Sequence, residues 1–239
     1  MIDDQRRGTA PLCLTLDDLS VHLGERVVIR DCVQRFCAGA VHGVLGQNGA
    51  GKTTLFDAIF GLLAHSAGTI TLDGRPLVAG DVAYLPSELR LYDGITGEEL
   101  LLLFAMSGRI SEAARQYAEA LEVPLNALIE THSFGTRRKL ALVAVSMLDR
   151  PVLLLDEPFE ALDVVSRRVV RHILKAEAER GRIVIYSAHE LEALPTFSDW
   201  ISLLRDGRFI GEFPTQSIAE LEALLTTDVD ARLLAFRTR

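Results

Sequence analysis

Residues 46–53, GQNGAGKT, have the residue types and spacing of a phosphate-binding loop. Glycines within it permit positive φ angles and let consecutive backbone N–H groups approach phosphate oxygens without a Cβ in the way. The apolar-periodic segment that follows predicts a helix, whose amino terminus attracts the same anion. The pattern predicts a nucleotide site in which Lys52 contacts the β- and γ-phosphates and Thr53 ligates Mg²⁺. The residues assigned to this site are Gly46, Asn48, Gly49, Ala50, Gly51, Lys52, Thr53 and Thr54.

Two carboxylates, Asp156 and Glu157, follow a second apolar run, VLLL. In an open parallel sheet, ligands bind at the carboxyl ends of the strands. Asp156 offers the hard oxygen ligands that Mg²⁺ prefers. Glu157 is a candidate general base, or a residue that orients water toward the γ-phosphate. Two acids at a strand end also fit an ordinary solvated edge, but the phosphate-binding loop upstream favours the catalytic interpretation.

The segments that must position these groups alternate between strand and helix patterns. Strands are predicted in the first 45 residues, at 68–72, 82–85, 151–156 and 182–188, and in a hairpin around Asp206 and Gly207. Helices are predicted after the phosphate-binding loop, in three segments between about 97 and 150, and at about 163–180. We expect one domain over residues 1–239, with a core at about 12–86 and 151–213. A helical subdomain at about 87–150 and a short helical tail at about 214–239 complete it.

Composition narrows the possible partners. The chain has 239 residues, 49% of them hydrophobic and 24% charged, with a formal net charge of −8. A negative surface repels phosphate backbones, so we expect no nucleic-acid partner. No run of about 18 apolar residues lacks a charge or a turn-former, so we expect no membrane span and no signal peptide. Cys13, Cys32 and Cys37 lack C-x-x-C spacing and are expected to be free thiols.

The order of these motifs resembles the nucleotide-binding subunit of ATP-binding cassette (ABC) transporters. The strings QNGAGKTTL and LLLDEPFEALD carry the resemblance, which covers residues from about 12 to about 213. It implies an α/β fold: a P-loop NTPase core, made of a mixed sheet with an N-terminal antiparallel β-subdomain, plus an inserted α-helical subdomain. It also implies ATP and Mg²⁺ as ligands. Two subunits, in a homodimer or a heterodimer, would close over two ATP molecules and drive a separate transmembrane permease from the cytoplasmic face of the membrane.

The resemblance assigns further site residues. The signature loop corresponds to residues 132–136, HSFGT, where Ser133 and Gly135 would bind the γ-phosphate held by the partner subunit. Asp163 would lie in the loop that crosses between the two sites, and His189 would be the switch histidine that contacts the γ-phosphate. The basic residues 137–139 would either attract that phosphate or form a solvated helix face.

Three positions depart from the family pattern. Leu23 stands where an aromatic side chain usually stacks on adenine, which predicts modest ATP affinity and weak discrimination of ATP over GTP. Ser87 stands where a glutamine usually serves the metal and the attacking water, so its shorter side chain would reach the metal only through a water. This predicts slow hydrolysis, and a higher rate for Ser87→Gln. The signature loop retains only Ser133 and Gly135 of its usual residues.

Three functions are compatible with these motifs to different degrees. The first is an ATP-hydrolysing motor subunit for a separate permease, with export favoured because small exporter-type ATPases also have relaxed signatures. The second is a weak or regulatory ATPase, such as the poorer half of a heterodimer or a nucleotide sensor. The third is an ABC-type ATPase acting on DNA or ribosomes, which the short stretch between Ser87 and Ser133 and the single cassette argue against.

Overall fold

The computed structural model describes residues 11–189, 197–217 and 220–221. Within them the chain forms two sheets and five α-helices, and the expected α/β class is confirmed. The ten strands are β1 Cys13–Leu23, β2 Arg26–Cys37, β3 Val41–Leu45, β4 Ala67–Leu72, β5 Arg75–Pro76, β6 Val82–Leu85, β7 Val152–Leu155, β8 Ile183–Ala188, β9 Trp200–Arg205 and β10 Arg208–Pro214. The helices are α1 Lys52–Phe60, α2 Gly97–Phe104, α3 Glu112–Ala120, α4 Phe134–Ser146 and α5 Val164–Glu179.

An antiparallel sheet of four strands, in the order β2-β1-β4-β5, forms the first layer. Its strand β1 turns apolar side chains into a core that also receives the inner face of α1. The members of this cluster include Leu14, Leu16, Val21, Leu55 and Phe56. The sheet therefore supports the helix that follows the phosphate-binding loop.

A larger sheet has the order β10-β9-β3-β8-β7-β6. Strands β3, β6, β7 and β8 are buried along their whole length, as expected for parallel strands covered on both faces. The predicted hairpin is confirmed, since β9 and β10 are antiparallel and Asp206 and Gly207 both have positive φ. One apolar cluster lies on each face of this sheet.

The helices of the predicted insertion, α2, α3 and α4, are confirmed. Their amino termini are capped by side chains: Thr96 and Glu99 form a reciprocal capping box, while Ser111 and Ser133 each accept a backbone N–H. Helix α4 buries residues on several sides, including Leu140 and Val143, and belongs to the apolar cluster that covers β6 and β7. It ties the helical segment to the central sheet.

The cysteines differ from the expectation. Cys13 and Cys37 form a disulfide, whereas Cys32 is free and buried. The two bonded residues face each other in the β1–β2 register, with Cα atoms 4.1 Å apart. The prediction of three free thiols is therefore wrong for Cys13 and Cys37. It relied on C-x-x-C spacing, which cannot detect cysteines that strand pairing brings together.

Two further sequence predictions concern a helical tail at about 214–239 and the absence of a membrane span. The helical tail lies mostly outside the described residues, which place a 3₁₀ turn at Thr215–Ser217. Among the described residues, no helix is both long enough and apolar enough to cross a bilayer.

Candidate functional site

Strand register brings the predicted site residues to one edge of the large sheet. Leu45 pairs with Ala188, Leu155 with Tyr186, and Leu85 with Leu155. The residues that follow these strands therefore lie side by side, in the order of the strands β3, β8, β7 and β6. They are Gly46, His189, Asp156 with Glu157, and Ser87. This is the carboxyl edge, where open parallel sheets bind ligands.

The phosphate-binding loop has the backbone that its glycines permit. Gly49 and Gly51 have φ values of 85° and 106°, and Gly51 is the amino-terminal cap of α1. A Cβ on Gly46 would lie 2.6 Å from the carbonyl oxygen of Leu204, so only glycine fits there without movement. The turn between β9 and β10 supports the loop, because the Gly207 N–H donates to the Ala50 carbonyl over 3.1 Å.

Lys52 is held across this loop. Its Nζ donates to the carbonyl oxygens of Gly46 at 2.8 Å and Gln47 at 3.3 Å, and it lies 3.9 Å from Glu157 Oε1. Burial lowers the pKa of Lys52, and the carboxylates of Glu157 and Asp156 oppose that shift. The ammonium therefore stands between the loop and the acidic pair, in reach of both.

The Asp156 carboxylate is fully buried and is held at both oxygens. Thr53 Oγ1 donates to Oδ2 over 2.7 Å, and the Ser187 hydroxyl donates to Oδ1. The same Ser187 oxygen accepts the Glu157 N–H over 2.8 Å. The Ser187 hydroxyl therefore fixes both acidic residues relative to each other. The sequence motifs do not indicate this role.

Glu157 has a backbone that few non-glycine residues adopt, with φ at 50°. Its carboxylate is one-fifth exposed, and its Oε1 lies 3.3 Å from His189 Nδ1. A proton on that nitrogen makes the contact a hydrogen bond. The structure therefore brings Lys52, Glu157 and His189 together beside the buried Asp156.

The donor set fits Mg²⁺. Thr53 Oγ1 and Asp156 Oδ2 are hard oxygen atoms of a kind that this ion prefers, and they converge from α1 and the end of β7. The buried Asp156 carboxylate accepts from two hydroxyl groups, and a divalent cation at Oδ2 would add positive charge beside it. Ser87 follows the adjacent strand, and its carbonyl oxygen accepts from Arg138 over 2.8 Å. Its hydroxyl stays a predicted outer ligand.

The signature residues stand at the amino terminus of α4. Ser133 caps the helix, accepting the Thr136 N–H over 3.1 Å. A Cβ on Gly135 would lie 2.6 Å from the Ala161 carbonyl, so glycine lets α4 approach the loop that leads into α5. Asp163 caps α5 and lies 3.6 Å from Lys139 Nζ. Hydrogen bonds from Ser166 lower the pKa of Asp163 to about 2.

One predicted residue, Leu23, lies apart from this edge. Leu23 ends β1 in the small sheet and is 46% exposed, while the neighbouring strand β2 contacts the phosphate-binding loop through Val28 and Ile29 near Gly51. A role of Leu23 in base binding stays a prediction.

Arg138 also differs from both expectations for the basic residues. It is 1% exposed, so it is part of the interior and belongs neither to a solvated helix face nor to a surface phosphate contact. The helical pattern around Arg138 does not indicate its burial, because its hydrogen-bond partners follow strands that are distant in the sequence.

The family model described as ABC transporter matches residues 30–160, more than half of the 239 residues. The chain belongs to the ABC transporter family. Within that family it is an ATP-binding subunit and an ATP hydrolase.

Named relatives transport in both directions. The Nod factor export ATP-binding protein I of Burkholderia lata is 31% identical over 83% of this chain and 70% of the relative. An arabinose import ATP-binding protein of Burkholderia ambifaria is 30% identical over 77% of this chain, but over only 39% of the relative. A solved structure described as the ATP binding subunit of an ABC transporter has a TM-score of 0.77 and 27% identity, covering 88% of this chain and 93% of that one.

Proposed function

We propose that this ABC subunit binds MgATP at the carboxyl edge of its large sheet and hydrolyses it to drive a separate transmembrane permease. The observation that carries the proposal is the convergence of Lys52, Asp156, Glu157 and His189 on one edge beside the phosphate-binding loop. A shared edge supplies a cation, a metal ligand and a base to one phosphate group. Placement at the cytoplasmic face of a membrane follows from the permease as partner.

The binding step rests on the loop. Backbone N–H groups from Gly49 to Thr53 and the amino terminus of α1 hold the β- and γ-phosphates, and Lys52 neutralises part of their charge. Thr53 and Asp156 are the residues that would hold Mg²⁺. That ion, when bound, neutralises charge on the β- and γ-phosphate oxygens.

The hydrolytic step is assigned to Glu157. Its carboxylate orients a water and accepts a proton from it as the water oxygen bonds to the γ-phosphorus. The bond between the γ-phosphorus and the oxygen bridging to the β-phosphate breaks, and ADP leaves with that oxygen. His189, which contacts Glu157 Oε1 at 3.3 Å, positions the carboxylate and is placed to contact the γ-phosphate.

The proposed active form is a dimer. Ser133 and Gly135 lie at a helix amino terminus, which suits a phosphate supplied by a second subunit. Both a homodimer and a heterodimer with a sister ATPase fit this chemistry. Export is the proposed direction, because the signature loop, which retains only Ser133 and Gly135, resembles the relaxed signatures of small exporter-type ATPases.

A weak or regulatory ATPase is the second candidate. Three observations favour it: Ser87 replaces an amide, Leu23 replaces an aromatic platform, and Phe134, which is 50% exposed, replaces a signature glycine. Each substitution weakens a contact to nucleotide without removing the acidic pair.

Steady-state hydrolysis of ATP by the full chain and by Glu157→Gln separates these candidates. A motor subunit is expected to lose turnover in the variant and to accumulate as an ATP-bound dimer, whose mass light scattering reports. A variant with unchanged turnover would contradict the role of Glu157. A wild-type chain that binds ATP but hardly hydrolyses it, alone and with its permease, would support the regulatory candidate.

A further inference from the structure

Arg138 carries a buried charge that the catalytic assignments leave without a role. It lies in α4, five residues after Ser133, and its side chain reaches the ends of two strands of the large sheet. Nη1 donates to the Ser87 carbonyl over 2.8 Å. Nε and Nη2 donate to the Glu157 carbonyl over 3.1 and 2.7 Å, and Nη2 also donates to the Asp156 carbonyl. One guanidinium therefore holds three main-chain oxygens beside the site.

Burying this cation is costly, so its position needs a compensating gain. Burial lowers the pKa of Arg138, while the carboxylates of Glu160, Asp156 and Glu157 oppose the shift. Charge-assisted hydrogen bonds to carbonyls are stronger than neutral ones, and the planar guanidinium fork suits several acceptors at once. The gain is a fixed main chain at Glu157, the residue whose φ of 50° is otherwise unfavourable.

We propose that Arg138 is a positioning residue that couples the tip of α4 to the catalytic carboxylate of its own chain. Ser133 and Arg138 lie on one helix, separated by about 7.5 Å along its axis at 1.5 Å per residue. A nucleotide that draws the Ser133 end of α4 toward the partner's site also moves the guanidinium that holds Glu157. This inference rests on the proposed function, in which each subunit's α4 tip faces the partner's nucleotide.

Arg182 provides a matched control. It is buried, and its guanidinium also donates to main-chain carbonyl oxygens, those of Arg150 at 2.9 Å and Ser146 at 3.2 Å. It lies just before β8, at the end of the sheet opposite the acidic pair, so it has similar chemistry without a link to that pair or to residues 132–136. Lysine at either position keeps the positive charge but cannot bridge the same set of carbonyls.

The test measures ATP hydrolysis by the full-length wild type, Arg138→Lys and Arg182→Lys as a function of ATP concentration. Wild type is expected to show a Hill coefficient above 1, since occupancy of one site assists the other. For Arg138→Lys we expect turnover reduced at least about tenfold, half-saturation within about twofold of wild type, and a Hill coefficient near 1. Arg182→Lys should keep all three values close to wild type.

The Hill coefficient is the readout that a purely structural defect would not change, because inactive molecules lower turnover without altering cooperativity. Wild-type cooperativity in Arg138→Lys, its loss in Arg182→Lys, or its absence from an active wild type would each overturn the inference while leaving the proposed function standing. A wild-type chain without hydrolysis would overturn the proposed function, and the inference with it. If Arg138→Lys does not fold, Arg138→Gln undergoes the same assay against the same criteria.

Discussion

At the scale of single residues, the Ser187 hydroxyl links the two acidic side chains. It donates to Asp156 and accepts the Glu157 N–H, and the residue is fully buried. In Ser187→Ala both groups lose a buried partner, which should lower the free energy of unfolding by about 1–3 kcal/mol. Displacement of Glu157 should also lower turnover about tenfold or more. Urea denaturation and steady-state hydrolysis measure the two effects.

Ser202→Ala is the control for this prediction. Ser202 is also fully buried, in strand β9, but its hydroxyl contacts Glu212 and not the acidic pair. We expect it to retain turnover close to that of wild type. Equal turnover in the two variants would remove Ser187 from the account of the site.

Leu23 carries a second prediction at this scale. Its side chain is exposed at the end of β1, where an aromatic ring can stack on a base. Leu23→Tyr should tighten ATP binding by about 1–3 kcal/mol, or about five- to hundredfold in Kd. His22→Tyr, at the adjacent exposed position, is the control and should leave Kd unchanged. Equal effects of the two substitutions would place the base elsewhere.

At the scale of elements, the approach of α4 to the loop before α5 depends on Gly135. Alanine in a helix normally adds about 1 kcal/mol of stability relative to glycine. Here its Cβ would lie 2.6 Å from the Ala161 carbonyl, so Gly135→Ala should instead destabilise the protein by about 1–3 kcal/mol. Gly80→Ala, where the nearest atom is 4.0 Å from the new Cβ, is the control. A Gly135→Ala variant as stable as wild type in urea would contradict this contact.

Helix α5 carries a pH-dependent contribution through its cap. Ser166 holds the pKa of Asp163 at about 2, below the ordinary value near 3.8. The ionised cap therefore stabilises the folded state above about pH 4 and loses this contribution as pH falls toward 2. Asp163→Asn keeps a capping group without the charge, so its urea midpoint should approach that of wild type as pH falls from 4 to 2. A constant difference over that range would contradict the shift.

The elements differ in how far sequence could predict them. Strands such as β7 and β8 were predictable because continuous apolar runs end at acids or glycines, and the three inserted helices because apolar residues recur at helical spacing. The phosphate-binding loop and the acidic pair were also predictable, because each is defined by a short local sequence motif.

Contacts between distant segments were not predictable from those patterns. Arg138 lies in a polar run, and nothing local shows that it turns inward to Ser87 and Glu157. Cys13 and Cys37 become neighbours only through the β1–β2 register. Ser187 left a faint signal, a lone serine in a strand that is otherwise mostly apolar.

At the scale of the whole molecule, the large sheet gathers the proposed catalytic groups at one edge, while α4 and α5 present Ser133 and Asp163 at their amino termini. A phosphate held by the edge of one subunit and contacted by the helix tip of another would make two incomplete sites into two complete ones. The permease is the proposed recipient of the resulting movement.

Binding of nucleotide at the carboxyl edge is tested by retention of a non-hydrolysable ATP analogue with Mg²⁺, by the full chain and by Lys52→Ala. Lys52 lies between the loop and the acidic pair, so we expect one analogue bound per wild-type chain and at least about tenfold weaker binding by the variant. Equilibrium dialysis gives both numbers. Equal affinity in the two proteins, or no binding by wild type, would show that nucleotide does not bind at this edge.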